Sequence, residues 1–465
     1  DLDLPTHVIV LAAGEGKRMR SDLPKVAHVA AGRTLLGWVM EAAGELHPAS
    51  MVVVVGHGAD VVRSILPAGV SHAVQEEQLG TGHATRIGLD ALGDLDPDDV
   101  VLILYGDTPL LTSDLLSRLV DLEGDEAARL ISARVDDPSG YGRVVRGGAG
   151  EVLGIVEHRD CTPEQLEIDE INAGIYAVRA GRLATTLDKI DNDNSQGEYY
   201  LTDVVGLLVS AGDKLTAVEA AAEEVMGINS QDQLAAARKE LQRRTNQRLM
   251  EAGVAIIDPD RTYIDDSVEV ASGARIYPGT HLEGTTRIGA GSQVGPDVFA
   301  VDSVIGENTT VWYAVLRGAM VGDDCEVGPY ASLRPGTVLE RGAKAGTFVE
   351  TKNTTLGEGA KAPHLSYLGD ATVGARTNIG AGTITCNYDG YQKHHTEIGE
   401  EAFIGSDTML VAPVKIGDRA ITGAGSVITN DVPDDALAVE RSGQKEIPGY
   451  AQRRAARKAA KDAED

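Results

Sequence analysis

From residue 254 onward, aliphatic residues recur at intervals of six. Ile264, Val270, Ile276, Leu282, Ile288 and Val294 keep the step, as do Val315, Val321, Val327, Leu333 and Leu339, and later Ile398, Ile404, Leu410 and Ile416. Gly directly follows an aliphatic residue twelve times between Ile288 and Ile416. Six matches neither the 3.6-residue turn of an α-helix nor the two-residue alternation of a hairpin strand. It is the period of hexapeptide β-helix repeats: each short strand points one aliphatic side chain inward, and a small residue lets the chain turn the corner. Three strands then close a triangular coil of about 18 residues.

The repeat is interrupted at 384–397 (ITCNYDGYQKHHTE), which reads as an inserted loop, and such insertions lie on binding faces. It stops near 432. The tail, AQRRAARKAAKDAED, is Ala-rich and charged, so a helix or a disordered segment is expected, with its basic cluster a solvated face or a partner patch.

Before the repeat the pattern is different. HVIVLAA (7–13), MVVVVG (51–56) and VLILYGD (101–107) are continuous apolar runs, and helical patterns such as TLLGWVMEAAGEL (34–46) lie between them. Uninterrupted apolar strands fit a parallel sheet covered on both faces. An α/β doubly wound, Rossmann-like domain is therefore expected over 1–231, with ligands at the carboxyl ends of the strands. Between the two patterns, Leu234, Ala237, Leu241 and Leu249 recur at helical spacing without Gly or Pro, which predicts a linking helix over 232–252 or a surface helix of either domain. The repeat domain and tail then occupy 253–465.

Composition narrows the functional classes. At 465 residues the chain is too long for one ordinary core. It carries 54 Gly, only 4% aromatics and 3 Phe, which suits many turns around a thin aliphatic core. Its net charge of −29 argues against nucleic-acid binding and against an anionic membrane surface, although a local Lys/Arg cluster can still hold an anionic small molecule. No apolar stretch of membrane-spanning length occurs. The start, DLDLPTHVIVLAAG, shows no signal peptide, and it lacks an initiating Met. Three unpaired cysteines, Cys161, Cys325 and Cys386, fit a reducing cytoplasm and give no Cys-based zinc site.

Two constellations carry chemistry. The first is Leu11-Ala12-Ala13-Gly14-Glu15-Gly16-Lys17-Arg18-Met19, directly after the first apolar run, followed by Leu23-Pro24-Lys25. Glycines at 14 and 16 allow backbone N–H groups close to a phosphate, and the cations add charge. By itself such a loop is equally a tight turn, and it matches neither the Walker spacing nor G-x-G-x-x-G. Asp107 by itself reads more readily as a helix cap after a strand. As a set, LAAGEGKRM…LPK resembles the signature of the sugar-nucleotide pyrophosphorylases. That resemblance implies a uracil-reading segment at Gln75, Gly80 and Thr81, nucleotide contacts at Tyr105-Gly106-Asp107, and sugar contacts at Gly142, Glu157 and Asn172. It also implies a metal held by Asp107 and Asn229, with Arg18 and Lys25 clamping the triphosphate. One carboxylate and one amide oxygen suit Mg²⁺ completed by phosphates and water. A sugar 1-phosphate is already ionised, so attack on an α-phosphorus needs positioning and charge neutralisation and no general base.

The second constellation is KAPHLSYLGD (361–370) with NIGAGTITCNYDG (378–390). Hexapeptide repeats occur in acyltransferases, in carbonic-anhydrase-like proteins and in scaffolds. A zinc site from His364, His394 and His395 is disfavoured, because adjacent histidines on an extended backbone do not face one metal. The stretch closely resembles the acetyltransferase half of the bifunctional bacterial N-acetylglucosamine-1-phosphate uridylyltransferase/glucosamine-1-phosphate N-acetyltransferase family. Domain order and linking helix agree, so the resemblance spans roughly 7–441, and Lys17 departs from it where many relatives carry Thr.

The family resemblance implies His364 as general base, since an amine attacks a thioester only when neutral and imidazole can take its proton; in isolation His364 reads more readily as a structural histidine. It implies Arg334 and Lys352 on the sugar phosphate, Tyr367 and Asn378 on the sugar, and Asn387 and Tyr388 around the acetyl group. It implies Ala381, Ser406, Ala424 and Arg441 along acetyl-CoA, with backbone N–H groups near Ala381 as an oxyanion hole. The implied reactions are acetylation of glucosamine 1-phosphate by acetyl-CoA, then coupling of N-acetylglucosamine 1-phosphate to UTP. A left-handed β-helix, a homotrimer with a shared acyl site, and a supply role in peptidoglycan and cell-wall synthesis follow from the same resemblance. The alternatives are a relative with another nucleotide or sugar, such as thymidylyl transfer to glucose 1-phosphate, and a non-enzymatic scaffold with a dead repeat domain.

Overall fold

The computed structural model describes residues 4–14, 16–194 and 197–463; Glu15 and the side chain of Lys17, both in the Gly-rich loop, lie outside the described set. The chain divides into two compact units. The first extends to Gln247 and includes Ile264–Asp266; the second comprises Arg248–Tyr263 and the chain from Ser267 onward.

The first unit is built on a twisted sheet. Strand Thr6–Ala12 lies at its centre, with Ser50–Val55 and Val100–Tyr105 parallel to it on either side. Ser71–Val74 extends the parallel set. The central stretches Val8–Ala12, Val52–Val55 and Val100–Leu104 are apolar throughout because helices cover both faces. Val8, Val10 and Ala12 face a core completed by Leu36, Val39, Leu115 and Leu119, while Ile9 and Leu11 face one completed by Ala84, Leu183, Val204 and Leu208. Each such aliphatic side chain, fully buried, contributes roughly 1.5–3 kcal/mol against exposure. The sheet departs from the all-parallel expectation at Glu170–Arg179 and at Val152–Val156, the latter paired antiparallel with Arg143–Arg146. Glu170–Arg179 runs antiparallel between Val100–Tyr105 and Glu126–Arg134, and it carries Asn172.

The helix anticipated over 232–252 runs Gln231–Glu251. Leu234, Ala237 and Leu241 pack with Met19, Ala30, Leu35, Leu110 and Ile228, so the first turns of this helix close a core of the first unit. That is why the unit continues to Gln247 and does not end at 231.

The second unit is a parallel β-helix. One face is an eleven-stranded ladder that runs from Ala255–Ile256 to Leu437–Ala438, and two interleaved ladders supply the other faces. Along the first face Arg275 pairs with Gln293, Gln293 with Thr310, Thr310 with Glu326, and Glu326 with Lys344, steps close to the anticipated coil. Ile276, Leu282, Ile288 and Val294 are buried inside it. The glycines after the aliphatic residues stack coil on coil: a Cβ on Gly289 would lie 2.5 Å from the carbonyl carbon of Gly306, so a larger residue would push the coils apart. Val315 breaks the hexad reading. In strand Ala314–Arg317, Ala314 and Leu316 are buried and Val315 faces outward, because the inward step shortens to five between Val311, Leu316 and Val321. Where the inserted loop was expected, Asn378 pairs with Phe403, a step of 25 residues. The tail forms an exposed helix, Tyr450–Asp462.

Candidate active sites

In the first unit, the Gly-rich loop leaves the carboxyl end of the central strand. Gly16 sits at φ +63°, and a Cβ there would lie 2.7 Å from Lys25 Cβ, so only glycine lets the loop lie against Lys25. Nothing lies within 4 Å of a Cβ built on Gly14, which leaves that backbone open. The Leu11 carbonyl accepts from Gly106 N at 2.9 Å, which ties the loop to the end of strand Val100–Tyr105. Leu11, Ala12 and Ala13 are buried; Arg18 is exposed, with no hydrogen bond or ion pair among the described residues.

Asp107 follows that strand, and Asn229 lies just before the long helix. Lys25 Nζ donates to Asn229 Oδ1 at 3.0 Å and forms an ion pair with Asp107 Oδ2. The two oxygens therefore converge on one cationic centre. Ile228 N donates to the Asp107 carbonyl at 2.9 Å and holds the two segments together. This donor set fits a small hard cation: two oxygens from the protein, with the remaining positions left to phosphate and water. Among the described residues no cluster of three or more His, Cys, Asp or Glu side chains could hold a metal elsewhere.

The other predicted residues of this unit fall into two groups beside it. Gln75 is buried; its Nε2 donates to the Gly80 carbonyl at 3.2 Å, and Gly80 leads into helix Thr81–Leu92. Gly142, Glu157 and Asn172 meet: Asn172 N donates to the Gly142 carbonyl at 2.9 Å, and a Cβ on Gly142 would lie 3.5 Å from Glu157 Oε1. Tyr105 links the groups. Burial pushes its phenol up to about 12, a hydrogen bond with Thr81 opposes this, and the charges of Asp107 and Glu157 add to it.

In the second unit, a polar cluster forms around Asp370, the last residue of KAPHLSYLGD. Asp370 is buried. It accepts from Lys352 Nζ at 2.9 and 3.2 Å, from Asn353 Nδ2 at 2.9 Å and from Asn387 Nδ2 at 2.6 Å. Burial works against its charge, yet the hydrogen bonds from Asn353, Lys352 and Asn387 prevail and hold the carboxyl down to about 2. Asn387 Nδ2 also reaches Tyr367 Oη at 3.4 Å. Lys393, on the inserted loop, lies beside Lys352, and that neighbouring ammonium, with Arg334 further off, depresses its proton affinity. Arg334 pairs with Glu350 at 3.0 Å. Arg334, Lys352 and Lys393 thus make a patch with more positive charge than Asp370 and Glu350 cancel. Two signals could have found this cluster: the Asp of LGD, four residues after the Ser of HLS, and the single Lys of the inserted loop.

The remaining residues line one edge of the prism. Lys361 pairs with Asn378, Asn378 with Phe403, and Phe403 with Ile421. Three residues further along each strand stand His364, Ala381, Ser406 and Ala424. The phase is held by Gly382 N on Leu365 O at 2.9 Å, Asp407 N on Ala381 O at 2.7 Å, and Gly425 N on Ser406 O at 2.8 Å. Arg441 donates to the Ala424 carbonyl at 2.6 Å and ends the row. His364 is exposed and its ring makes no hydrogen bond among the described residues. Ala381 N–H likewise has no acceptor there. Tyr388 is exposed on the loop. His394 binds Asp389 at 2.7 Å and His395 binds Thr372 at 3.0 Å, so the two adjacent histidines face different partners.

Comparison with known proteins agrees with both halves. The MobA-like NTP transferase domain matches residues 8–185, and the bacterial transferase hexapeptide (six repeats) matches residues 395–430. The fold and its two clusters therefore define a nucleotidyltransferase joined to a hexapeptide acyltransferase. The chain is 49% identical to "Bifunctional protein GlmU" of Streptomyces avermitilis, over 99% of this chain and 97% of that protein. Proteins of the same name in Streptomyces coelicolor (49%, over 99% and 97%) and Caldanaerobacter subterraneus (47%, over 96% and 97%) are similar. The chain belongs to the bifunctional protein GlmU family. It is an enzyme with both transferase activities, uridylyl and acetyl transfer, and it uses a divalent metal and acetyl-CoA. No helix among the described residues is long and apolar enough to cross a membrane.

Proposed function

We propose that the second unit acetylates glucosamine 1-phosphate at the edge bearing His364, and that the first unit couples the product to UTP at the Lys25–Asp107–Asn229 centre. The observation that carries this reading is the register that sets His364 one coil below the Ala381–Ser406–Ala424 row. Adjacent coils lie about 4.8 Å apart, so a thioester laid along the small residues ends beside the imidazole.

Arg334 and Lys352 grip the sugar phosphate, with Tyr367 and Asn378 on the sugar ring. The 2-amine attacks the thioester carbonyl, His364 takes the amine's proton, and the CoA thiolate leaves. The unpaired Ala381 N–H stabilises the developing oxyanion. Asn387 and Tyr388 border the acetyl group, and Arg441 meets a CoA phosphate.

In the first unit Leu11 to Gly14, Gln75, Gly80 and Thr81 hold the uridine end. Gly142, Glu157 and Asn172 hold N-acetylglucosamine 1-phosphate. Asp107 and Asn229 would hold Mg²⁺, which would neutralise the repulsion between the two anions. Lys25, released from that pair of oxygens, and Arg18 clamp the triphosphate. The sugar phosphate oxygen attacks the α-phosphorus, and pyrophosphate leaves.

The assembly is a homotrimer. Tyr313, Tyr330, Phe348 and Leu365 occupy one corner on successive coils, and the last three are 58, 58 and 60% exposed in the single chain. A neighbouring copy covers this aromatic ladder and completes the site around His364. The enzyme works in the cytoplasm and supplies cell-wall polysaccharide synthesis. Two separate assays test the assignment: CoA thiol release from acetyl-CoA and glucosamine 1-phosphate, and pyrophosphate release with UTP, dTTP or CTP as donor. Absence of thiol release, or a preference for dTTP with glucose 1-phosphate, would refute it.

A further inference from the structure

Gln75 and His83 lie side by side under the amino end of helix Thr81–Leu92. Gln75 Nε2 donates to the Gly80 carbonyl at 3.2 Å, and the same nitrogen meets His83 Nδ1 at 3.0 Å. A carbonyl only accepts, so the amide nitrogen must face Gly80. A hydrogen already points from that nitrogen toward the ring, so His83 Nδ1 is the bare, accepting nitrogen and the imidazole proton sits on Nε2. Both amide hydrogens are spoken for. Gln75 Oε1 is thereby turned outward, and no donor among the described residues reaches it. Beside it, the N–H groups of Gly80 and Thr81 have no acceptor among the described residues, as expected at a helix start.

We infer that His83 is a positioning residue for base selection: it locks the Gln75 amide so that the site presents an acceptor beside backbone donors. Uracil offers N3–H beside O4, a donor beside an acceptor, and fits this pattern. Cytosine offers N3 beside N4–H₂, an acceptor beside a donor, and meets it with both signs reversed. With His83 unable to accept, only the Gly80 carbonyl still holds the amide nitrogen, so the amide turns at lower cost, Nε2 can face the base, and discrimination against cytosine N3 weakens. A pyrimidine with uracil's edge, such as thymine, is not distinguished by this lock. The inference rests on the reading of Gln75 as the base-reading residue.

The test is the ratio of kcat/KM for UTP over CTP in transfer to N-acetylglucosamine 1-phosphate. It is read in one sample, so any loss of folded protein cancels. His83→Phe removes the acceptor and lowers the ratio about ten- to a hundredfold, the range of one mispaired buried polar group. His83→Asn restores an acceptor and keeps the ratio within about threefold of wild type. Equilibrium dialysis with UTP and CTP supplies the same ratio where turnover is too slow. A wild-type ratio in His83→Phe, with a collapsed ratio in Gln75→Ala, overturns the lock alone. A wild-type ratio in Gln75→Ala overturns the reading of Gln75 and the lock with it.

Discussion

Replacing Asp370 by Asn isolates what the acetyl-site cluster depends on. The wild-type carboxylate, with only 10% of its side chain exposed, receives donors from Lys352, Asn353 and Asn387. Its carboxyl is held at about 2 against an ordinary value of 3.8. That difference corresponds to about 2 kcal/mol of stabilisation of the folded unit. The folded value is the lower one, so the stabilisation is complete above pH 4 and is lost as pH falls from about 4 to about 2. An amide at 370 keeps one accepting oxygen and turns an NH₂ toward a former donor, and it strands the Lys352 ammonium beside Lys393. The β-helix should lose roughly 2–4 kcal/mol, as expected when one partner of a buried ion pair is removed. Acetyl transfer should fall about ten- to a hundredfold in kcat/KM, mainly through the KM for glucosamine 1-phosphate, because Lys352 and Asn387 lose their fixed positions. CoA thiol release measures the loss, pyrophosphate release with pre-acetylated sugar should be unchanged, and melting at pH 7, 4 and 2.5 should show the stability gap closing only in the acid range. Acetyl transfer within twofold of wild type, with an unchanged melting temperature at pH 7, would refute the reasoning.

Three further outcomes are expected. Asp107→Ala should abolish uridylyl transfer and leave acetyl transfer intact, because it removes the one carboxylate at the Lys25–Asn229 centre; pyrophosphate release measures it. His364→Ala should cut acetyl transfer by about 10²–10⁴-fold with no effect on uridylyl transfer, and its residual rate should lose the imidazole limb of the pH profile while keeping the amine's. A fragment ending at Gln247 should keep uridylyl transfer and melt well above one ending at Gln231, since the shorter piece uncovers Met19, Leu35 and Leu110 and forfeits on the order of 4 kcal/mol or more of packing.

The hexad period was enough to establish a β-helix because six-residue spacing has no competing fold, and the glycines that follow its aliphatic residues stack too closely for any side chain. Val315 escaped the pattern for a local reason: strand Ala314–Arg317 alternates about Leu316, and a period counted over Val residues cannot see that the coil has shortened. The antiparallel strand Glu170–Arg179 was invisible because apolar runs in a covered sheet look alike in either direction. Motif resemblance picked out Lys25, Asp107 and Asn229, which the fold brings together, whereas Asp370 was not legible, since a carboxylate inside the short strand Tyr367–Val373 signals nothing until Lys352 and Asn387, 18 residues before and 17 after it, fold onto it. The boundary at 231 missed the burial of Leu234 and Leu241 because helical spacing shows a buried face without showing what covers it.

The central claim, that one chain carries two separable transfers in series, is tested most directly by mixing two inactive variants. Each receives glucosamine 1-phosphate, acetyl-CoA, UTP and Mg²⁺, and UDP-N-acetylglucosamine is quantified by chromatography. His364→Ala alone should form little product from glucosamine 1-phosphate but normal product from N-acetylglucosamine 1-phosphate. Asp107→Ala alone should accumulate N-acetylglucosamine 1-phosphate and stop there. The two together should restore synthesis of the UDP-sugar. Product from Asp107→Ala alone, or a mixture that stays silent while each variant retains its own half-reaction, would contradict the account.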